Sequence, residues 1–242
     1  TIIKFNEKSK ILWKKNFYDK KEKKNELILS LFSNGKYLIV TDSLANYYSL
    51  DINTGELLWK KSHNSVFISD IKIDKEIFYV IDSENEIHCF SIADGSKVWN
   101  FKTDNELIKS QKKLSIIYDE NNIYFNNSMG TIYSLNKYNG QLIWLTPTLD
   151  NLDFQLFRLK TSKLVLNNNE IFFSNNFNNF FSMNKENGFI NWSKNINSFL
   201  KPIIVNNLIF TISLEGYLHI INKENGNIIR ISDVFDGFSQ KK

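Results

Sequence analysis

The feature that most constrains the fold is a motif that returns along the whole chain. Each copy has a short apolar stretch, a turn containing glycine (serine in the first copy), and a marker residue four places later, as in SLDINTGELLW at 49–59. The markers are Trp13, Trp59, Trp99, Trp144, Trp192 and finally Arg230. A spacing of 38 to 48 residues, filled with short strands and turns, is typical of a β-propeller with four-stranded blades.

The repeat predicts an all-β structure, with 1–242 as a single β-propeller domain. The predicted parts are a half blade at 1–17 and five blades at 27–61, 66–102, 114–146, 163–194 and 203–232. No segment shows helical periodicity, which argues against an array of alternating strands and helices. Because the opening half blade lacks two strands, we expect either a piece of a larger ring of up to eight blades or a ring that stays open.

The turn in each repeat predicts a hairpin with a left-handed backbone. Its glycines follow threonine, aspartate or asparagine, a pairing that favours such a turn because glycine has no Cβ to clash at positive φ. They are Gly55, Gly95, Gly140, Gly188 and Gly226. We therefore interpret the glycine as structural.

The residues that could carry chemistry are few. Cys89 is the only cysteine, which excludes an internal disulfide and a cysteine-based zinc site. It stands where other copies have serine, so we expect a small buried side chain. His88 and His219 occupy equivalent places in different blades, which favours core packing over a shared metal, and His63 falls on a loop with no evident partner. No catalytic residue and no metal site are predicted.

The tryptophans have two interpretations, since indole rings can stack on ligands or pack in a core. One tryptophan per blade at one fixed place favours packing of blade against blade. We predict this docking role for Trp13, Trp59, Trp99, Trp144 and Trp192.

The charge pattern favours a solvated loop over a nucleic-acid or acidic-surface patch. The net charge is +4, and the lysine-rich stretch at 14–26 also contains Asp19, Glu22 and Glu26. Mixed charges of this kind are typical of a solvated loop. No run of apolar residues reaches the roughly 18 to 20 that a membrane-spanning helix requires.

The repeat resembles that of the PQQ-like, quinoprotein-type β-propellers, and within them the BamB family of outer-membrane protein assembly factors. The stretches MGTIYSLNKYNGQLIW (129–144) and LKPIIVNNLIFTISLEGYLHIINKENG (200–226) carry the resemblance. It implies a monomeric, non-catalytic scaffold without a cofactor at the periplasmic face of the outer membrane. It also implies docking to a POTRA domain of BamA, and membrane attachment only through an N-terminal lipid anchor that this chain does not include.

The resemblance also implies a partner-binding surface in the loops. An apolar-apolar-basic stretch of the family is matched by Leu107, Ile108 and Lys109, and a second contact loop by a stretch with Phe157 and Arg158, where the family's acidic pair is absent. Together these side chains would give an apolar centre with a basic rim, as expected of a protein-binding patch. The alternative is that the apolar residues pack beneath their own loops.

Two other functions remain open. A PQQ-dependent dehydrogenase would use the same propeller to hold a quinone over calcium, but no calcium-loop motif is present and the single cysteine excludes the vicinal disulfide of some such enzymes. A ligand-sensing ectodomain could be built on the same repeat, because fold alone does not determine function.

Overall fold

The structure, a computed structural model, is almost entirely β-sheet and describes residues 1–24, 26–103, 113–149 and 159–236. The one helix in these ranges is a single 3-10 turn, Glu22–Lys24. No helix within the described residues is long and apolar enough to cross a membrane. The chain divides into two compact units, residues 1–102 and 103–242.

The first unit contains one two-stranded sheet and two four-stranded sheets. Its strands are β1 (Ile2–Phe5), β2 (Ile11–Lys15), β3 (Leu29–Ser33), β4 (Tyr37–Asp42), β5 (Asn46–Asp51), β6 (Leu57–Ser62), β7 (Lys72–Asp74), β8 (Ile77–Ile81), β9 (Glu86–Ser91) and β10 (Lys97–Lys102).

The second unit contains three four-stranded sheets among its described residues. Its strands are β11 (Ile116–Tyr118), β12 (Asn122–Asn126), β13 (Ile132–Asn136), β14 (Leu142–Thr146), β15 (Val165–Asn167), β16 (Glu170–Asn175), β17 (Asn179–Asn184), β18 (Ile190–Lys194), β19 (Ile203–Val205), β20 (Leu208–Ile212), β21 (Tyr217–Asn222) and β22 (Ile228–Asp233).

Every four-stranded sheet is an antiparallel meander whose strands pair in the order of the sequence. The predicted all-β, four-stranded blades are therefore confirmed. The single domain over 1–242 and the native number of blades stay predictions.

Burial follows strand position within the sheet. In the first four of the four-stranded sheets, the second and third strands are buried on both faces, as β4 and β5 show, whereas fourth strands such as β6 and β14 contain no fully buried residue. Strands buried on both faces read as nearly continuous apolar runs, as in YLIVTD and IFYVI. The core of each unit lies between the faces of successive sheets, where clusters combine residues of two sheets.

The five predicted turn glycines adopt the left-handed backbone that the sequence indicates. Their φ angles lie between 67° and 74°. In the first copy Ser9 takes the same conformation at φ 59°. The turn is further held by the side chain that opens it, since Oδ1 of Asp51 accepts the backbone N–H groups of Asn53 and Thr54.

Candidate functional site

The predicted partner-binding residues belong to two connections that follow fourth strands. Leu107, Ile108 and Lys109 come after β10, and Phe157 and Arg158 come after β14. All five lie outside the described residues, so this site stays a prediction. What the structure does show is how the repeated positions around these connections are built.

In the first unit, the indole of each sheet lies on the turn glycine of the next. The Nε1–H of Trp13 donates to the carbonyl of Ile52 at 3.0 Å, and that of Trp59 donates to Ile92 at 2.7 Å. A Cβ on Gly55 would lie 2.7 Å from the ring of Trp13. The glycine is needed here for space as well as for its positive φ angle, and the turn pattern alone does not reveal the first requirement.

The second unit repeats the arrangement. Trp144 donates to the carbonyl of Lys185 at 3.0 Å and Trp192 to that of Lys223 at 3.1 Å. A Cβ on Gly188 or Gly226 would lie 2.5 Å or 2.6 Å from these rings. Each indole thus fills space between two sheets and satisfies a carbonyl at the start of the next turn.

Two marker residues remain, Trp99 and Arg230. Trp99 is 8% exposed and packs against Tyr79 with 5.7 Å between ring centroids. Arg230, which replaces tryptophan in the last copy, is exposed and donates from Nε to Ser232 Oγ at 3.0 Å.

A second repeated position lies where the second strand of each sheet turns into the third. We call the residue there the corner residue, and the five are Asp42, Asp82, Asn127, Asn175 and Ser213. In the first four, Oδ1 accepts backbone N–H groups two and four places ahead, as with Glu84 and Glu86 at Asp82 (2.9 and 3.1 Å). This leaves the other carboxylate oxygen of the two aspartates available for contacts outside the turn.

At Asp82 that oxygen meets two histidines. Oδ2 lies 3.0 Å from Nε2 of His88 and 3.2 Å from Nε2 of His63. Asp82 and His88 are buried, and the His63 side chain is 20% exposed. The expectation that His63 has no partner is wrong, because the loop after β6 brings it onto the corner of the next sheet. His88 packs against Phe90, as a core role predicts, and it also contacts the carboxylate of Asp82.

The pKa of Asp82 lies below its ordinary value. Burial raises it, but the hydrogen bonds from His88, the Glu86 N–H and His63 lower it more, so the group is a carboxylate near neutral pH. A carboxylate only accepts hydrogen bonds, so each imidazole carries its proton on Nε2 when it donates to Oδ2.

The corresponding corner of the preceding sheet uses phenols in place of imidazoles. The hydroxyl of Tyr18 donates to Asp42 Oδ2 at 2.8 Å and lies 3.0 Å from the hydroxyl of Tyr48. Tyr18 follows its marker tryptophan by five residues and His63 by four, and Tyr48 and His88 share one place in their third strands. The two corners therefore have the same plan and differ in chemistry.

Cys89 has the small buried role that its place in the repeat predicts. It is fully buried, and burial raises the pKa of its thiol to about 12. A thiol with this pKa is protonated at neutral pH and is a poor nucleophile.

In the second unit, the last corner borders a polar cavity of about 270 Å³. Its lining includes Asn178, Asn197, Ser213, Glu215 and His219. Burial lowers the pKa of His219, and the nearby Glu215 opposes this shift. Nδ1 of His219 is buried with no hydrogen-bond partner in the described structure.

The comparisons with known proteins agree with this architecture. The sequence profile of the family described as "Outer membrane protein assembly factor BamB" matches residues 1–232. The chain belongs to the BamB family. A curated relative, the outer membrane protein assembly factor BamB of Francisella salina, is 26% identical over 123 residues, which are 50% of this chain and 22% of the relative. The match thus spans about a fifth of that BamB protein.

Solved structures show the same fold. BamB from Moraxella catarrhalis superposes with a TM-score of 0.75 at 14% identity, over 93% of this chain and 68% of that one. A quinohemoprotein alcohol dehydrogenase from Pseudomonas putida HK5 superposes with a TM-score of 0.61 at 10% identity, over 86% of this chain and 44% of that one. At these identities the likeness establishes the β-propeller fold, which BamB and the dehydrogenase share.

Proposed function

We propose that the chain is a non-catalytic scaffold that assists outer-membrane β-barrel assembly by docking a POTRA domain of a BamA-class protein. The observation that carries this proposal is the family match across residues 1–232. On this proposal the chain works as a monomer at the periplasmic face of the outer membrane, and the loops containing Leu107–Lys109 and Phe157–Arg158 contact the partner.

The repeated positions serve the fold, and this supports the loops as the partner-binding surface. The indole-on-glycine contacts and the corner residues recur from sheet to sheet, and each is used internally to hold strands and turns. Recognition of one partner requires residues that differ between copies. The connections at 102–113 and 146–163 are the two most divergent stretches of the chain.

The composition of the described sites favours a scaffold over a quinone enzyme. Calcium in a quinone site requires several oxygen ligands. Among the described residues, one group brings together three side chains of the types His, Cys, Asp and Glu, and two of the three are histidines. Imidazole suits transition metals better than calcium. The dehydrogenase alternative is therefore supported by fold alone, as is a ligand-sensing ectodomain.

The proposal is tested by titrating the chain with the isolated POTRA domains of the partner in a calorimeter. We expect Leu107→Ala combined with Lys109→Glu to abolish detectable binding while leaving the unfolding midpoint unchanged. Truncating Leu107 removes an apolar contact, and reversing the Lys109 charge opposes an acidic partner surface.

A matched control makes the same kind of change, at one apolar residue and one lysine, elsewhere. Lys97 and Val98 lie exposed on strand β10, so Lys97→Glu with Val98→Ala should bind as the wild type does. Wild-type affinity in the Leu107 and Lys109 variant would place the contact elsewhere. Absence of binding by the wild-type chain would contradict the proposed function itself.

A further inference from the structure

We propose that His63, Asp82 and His88 form a binding site for a divalent transition-metal ion of the Zn²⁺ class. One ligand atom from each residue is available, and the three atoms lie within 4.8 Å of one another. The site uses none of the residues assigned to partner binding, and it does not depend on that function.

The spacing of the three atoms fits a tetrahedral ion. With metal–ligand bonds of about 2.0–2.1 Å, two ligands of a tetrahedral zinc ion are roughly 3.3 Å apart. The distances from Asp82 Oδ2 to the two Nε2 atoms are 3.0 Å and 3.2 Å. The ligand atoms of the two histidines lie within 4.8 Å of each other. An ion would therefore enter with shifts of a few tenths of an ångström at Asp82 and of up to about 1.5 Å between the two rings, and it would replace the two hydrogen bonds that now hold the rings.

The ligands are already oriented by their surroundings. Backbone N–H groups of Glu84 and Glu86 fix Oδ1 of Asp82, which directs Oδ2 at the imidazoles. The His63 ring stacks on Phe67 at 4.9 Å between centroids, and the His88 ring stacks on Phe90 at 5.6 Å. Such support reduces the ordering that ion binding would otherwise require.

Access and the open coordination position lie on the His63 side. The His63 side chain is 20% exposed, whereas those of Asp82 and His88 are 2% and 3% exposed. Three protein ligands with a fourth position open to water is the usual arrangement of a zinc ion that is not purely structural.

The corner at Asp42 provides a comparison in which the same carboxylate position is held without metal ligands. There Tyr18 and Tyr48 hold the same carboxylate with hydroxyl groups. Burial raises the pKa of Tyr48 to about 12, so it stays a neutral phenol and a poor ligand. At the Asp82 corner, histidines occupy both of these positions. This replacement of two phenols by two imidazoles gives the Asp82 corner its affinity for a metal.

One feature limits the affinity. An ion on Nε2 of His88 requires the ring proton on Nδ1, and that atom is buried without a hydrogen-bond partner in the described structure. Zinc ligands usually donate this proton to an acceptor. We therefore expect an affinity about 10- to 100-fold weaker than that of a site in which this proton has an acceptor.

The test is calorimetric titration of the tag-free chain with Zn²⁺, together with Co²⁺ as a spectroscopic probe. We expect one Zn²⁺ per chain, and visible absorption of four-coordinate Co²⁺. His63→Gln should weaken binding at least about tenfold, since loss of one of three ligands exceeds the effect of a lost supporting contact. His88→Gln should do the same.

The chain has three histidines, so His219→Gln is the matched control and should bind as the wild type does. Because His88 is buried, the partly exposed His63 gives the deciding variant, and its circular dichroism without metal should match that of the wild type. No binding by the wild type, or equal binding by wild type and His63→Gln, would overturn the site.

Discussion

At the junction between successive sheets, one glycine meets two requirements. Asparagine, aspartate or threonine before glycine predicts the left-handed turn, because that preference is local. The indole that covers the glycine comes from about forty residues earlier in the chain, as with Trp59 on Gly95. A local pattern does not reveal that contact. The fixed offset between glycine and tryptophan in four of the six copies nevertheless indicates that both serve one structure.

The space requirement can be separated from the backbone requirement by two alanine substitutions in the first unit. Gly35 has φ 92° and open space around it, whereas a Cβ on Gly95, at φ 67°, would lie 2.6 Å from the Trp59 ring. Gly35→Ala should cost about 1–2 kcal/mol from backbone strain alone. Gly95→Ala should cost about 1–3 kcal/mol more, because the ring must move.

Chemical denaturation of both variants measures this difference in the free energy of unfolding. Equal losses in the two variants would mean that the indole yields without cost, and that the glycine is required by the turn alone.

His63 shows where residue-level prediction failed. The strand positions before each tryptophan repeat clearly, whereas the loop after it does not, so the sequence indicates no partner for His63. Counting onward from the marker places His63 near the position of Tyr18 in the preceding copy. The contact with Asp82 was therefore detectable as a repeated aromatic position, but its geometry depends on the path of the loop.

At the scale of elements, the second, third and fourth strands follow the apolar pattern closely, but the first strands are shorter than it predicts. The apolar run VFISDIKI at 66–73 yields only β7 (Lys72–Asp74) and an isolated bridge at Phe67. The hydroxyl of Ser69 accepts the backbone N–H of Ile81 at 2.8 Å. The Ser69 side chain thus takes the place of a backbone hydrogen bond between the two strands. The spacing of apolar residues does not predict such a substitution.

An ion pair joins two sheets of the second unit. Lys185 directly follows strand β17, and its Nζ lies 2.8 Å from Oδ2 of Asp119, in the turn before β12. Burial raises the pKa of Asp119, but hydrogen bonds from Lys185, the backbone of Asn122 and Asn121, and Tyr124 bring it below its ordinary value.

A lowered pKa in the folded state means that the carboxylate stabilises the fold above its unfolded pKa of about 3.9, and that this contribution is lost as pH falls through the folded pKa. We expect Asp119→Asn to lower the free energy of unfolding by about 1 kcal/mol at neutral pH. The difference from the wild type should shrink below about pH 4. Urea unfolding across this pH range measures it, with exposed Glu120→Gln as the control. A difference that is constant with pH would contradict the electrostatic origin.

For the whole molecule, the fold class could be predicted because the motif occurs six times, at intervals of 38 to 48 residues. The partner-binding surface could not be predicted from the repeat. The proposed contact residues Leu107, Ile108 and Lys109 stand in a connection that no other copy repeats. The same holds for Phe157 and Arg158, where the resemblance itself departs from the family pattern. The repeat therefore specifies the scaffold, and the divergent connections are where a partner would be chosen.

The most direct test of the proposed function is amide hydrogen exchange, measured by mass spectrometry on the chain with and without the POTRA domains of a BamA-class partner. We predict slower exchange in peptides covering 102–113 and 146–163 when the partner is bound, because their amides become shielded from solvent. Exchange over the fourth strands β6 and β18 should not change. Protection confined to those fourth strands, or no protection at saturating partner, would contradict the account.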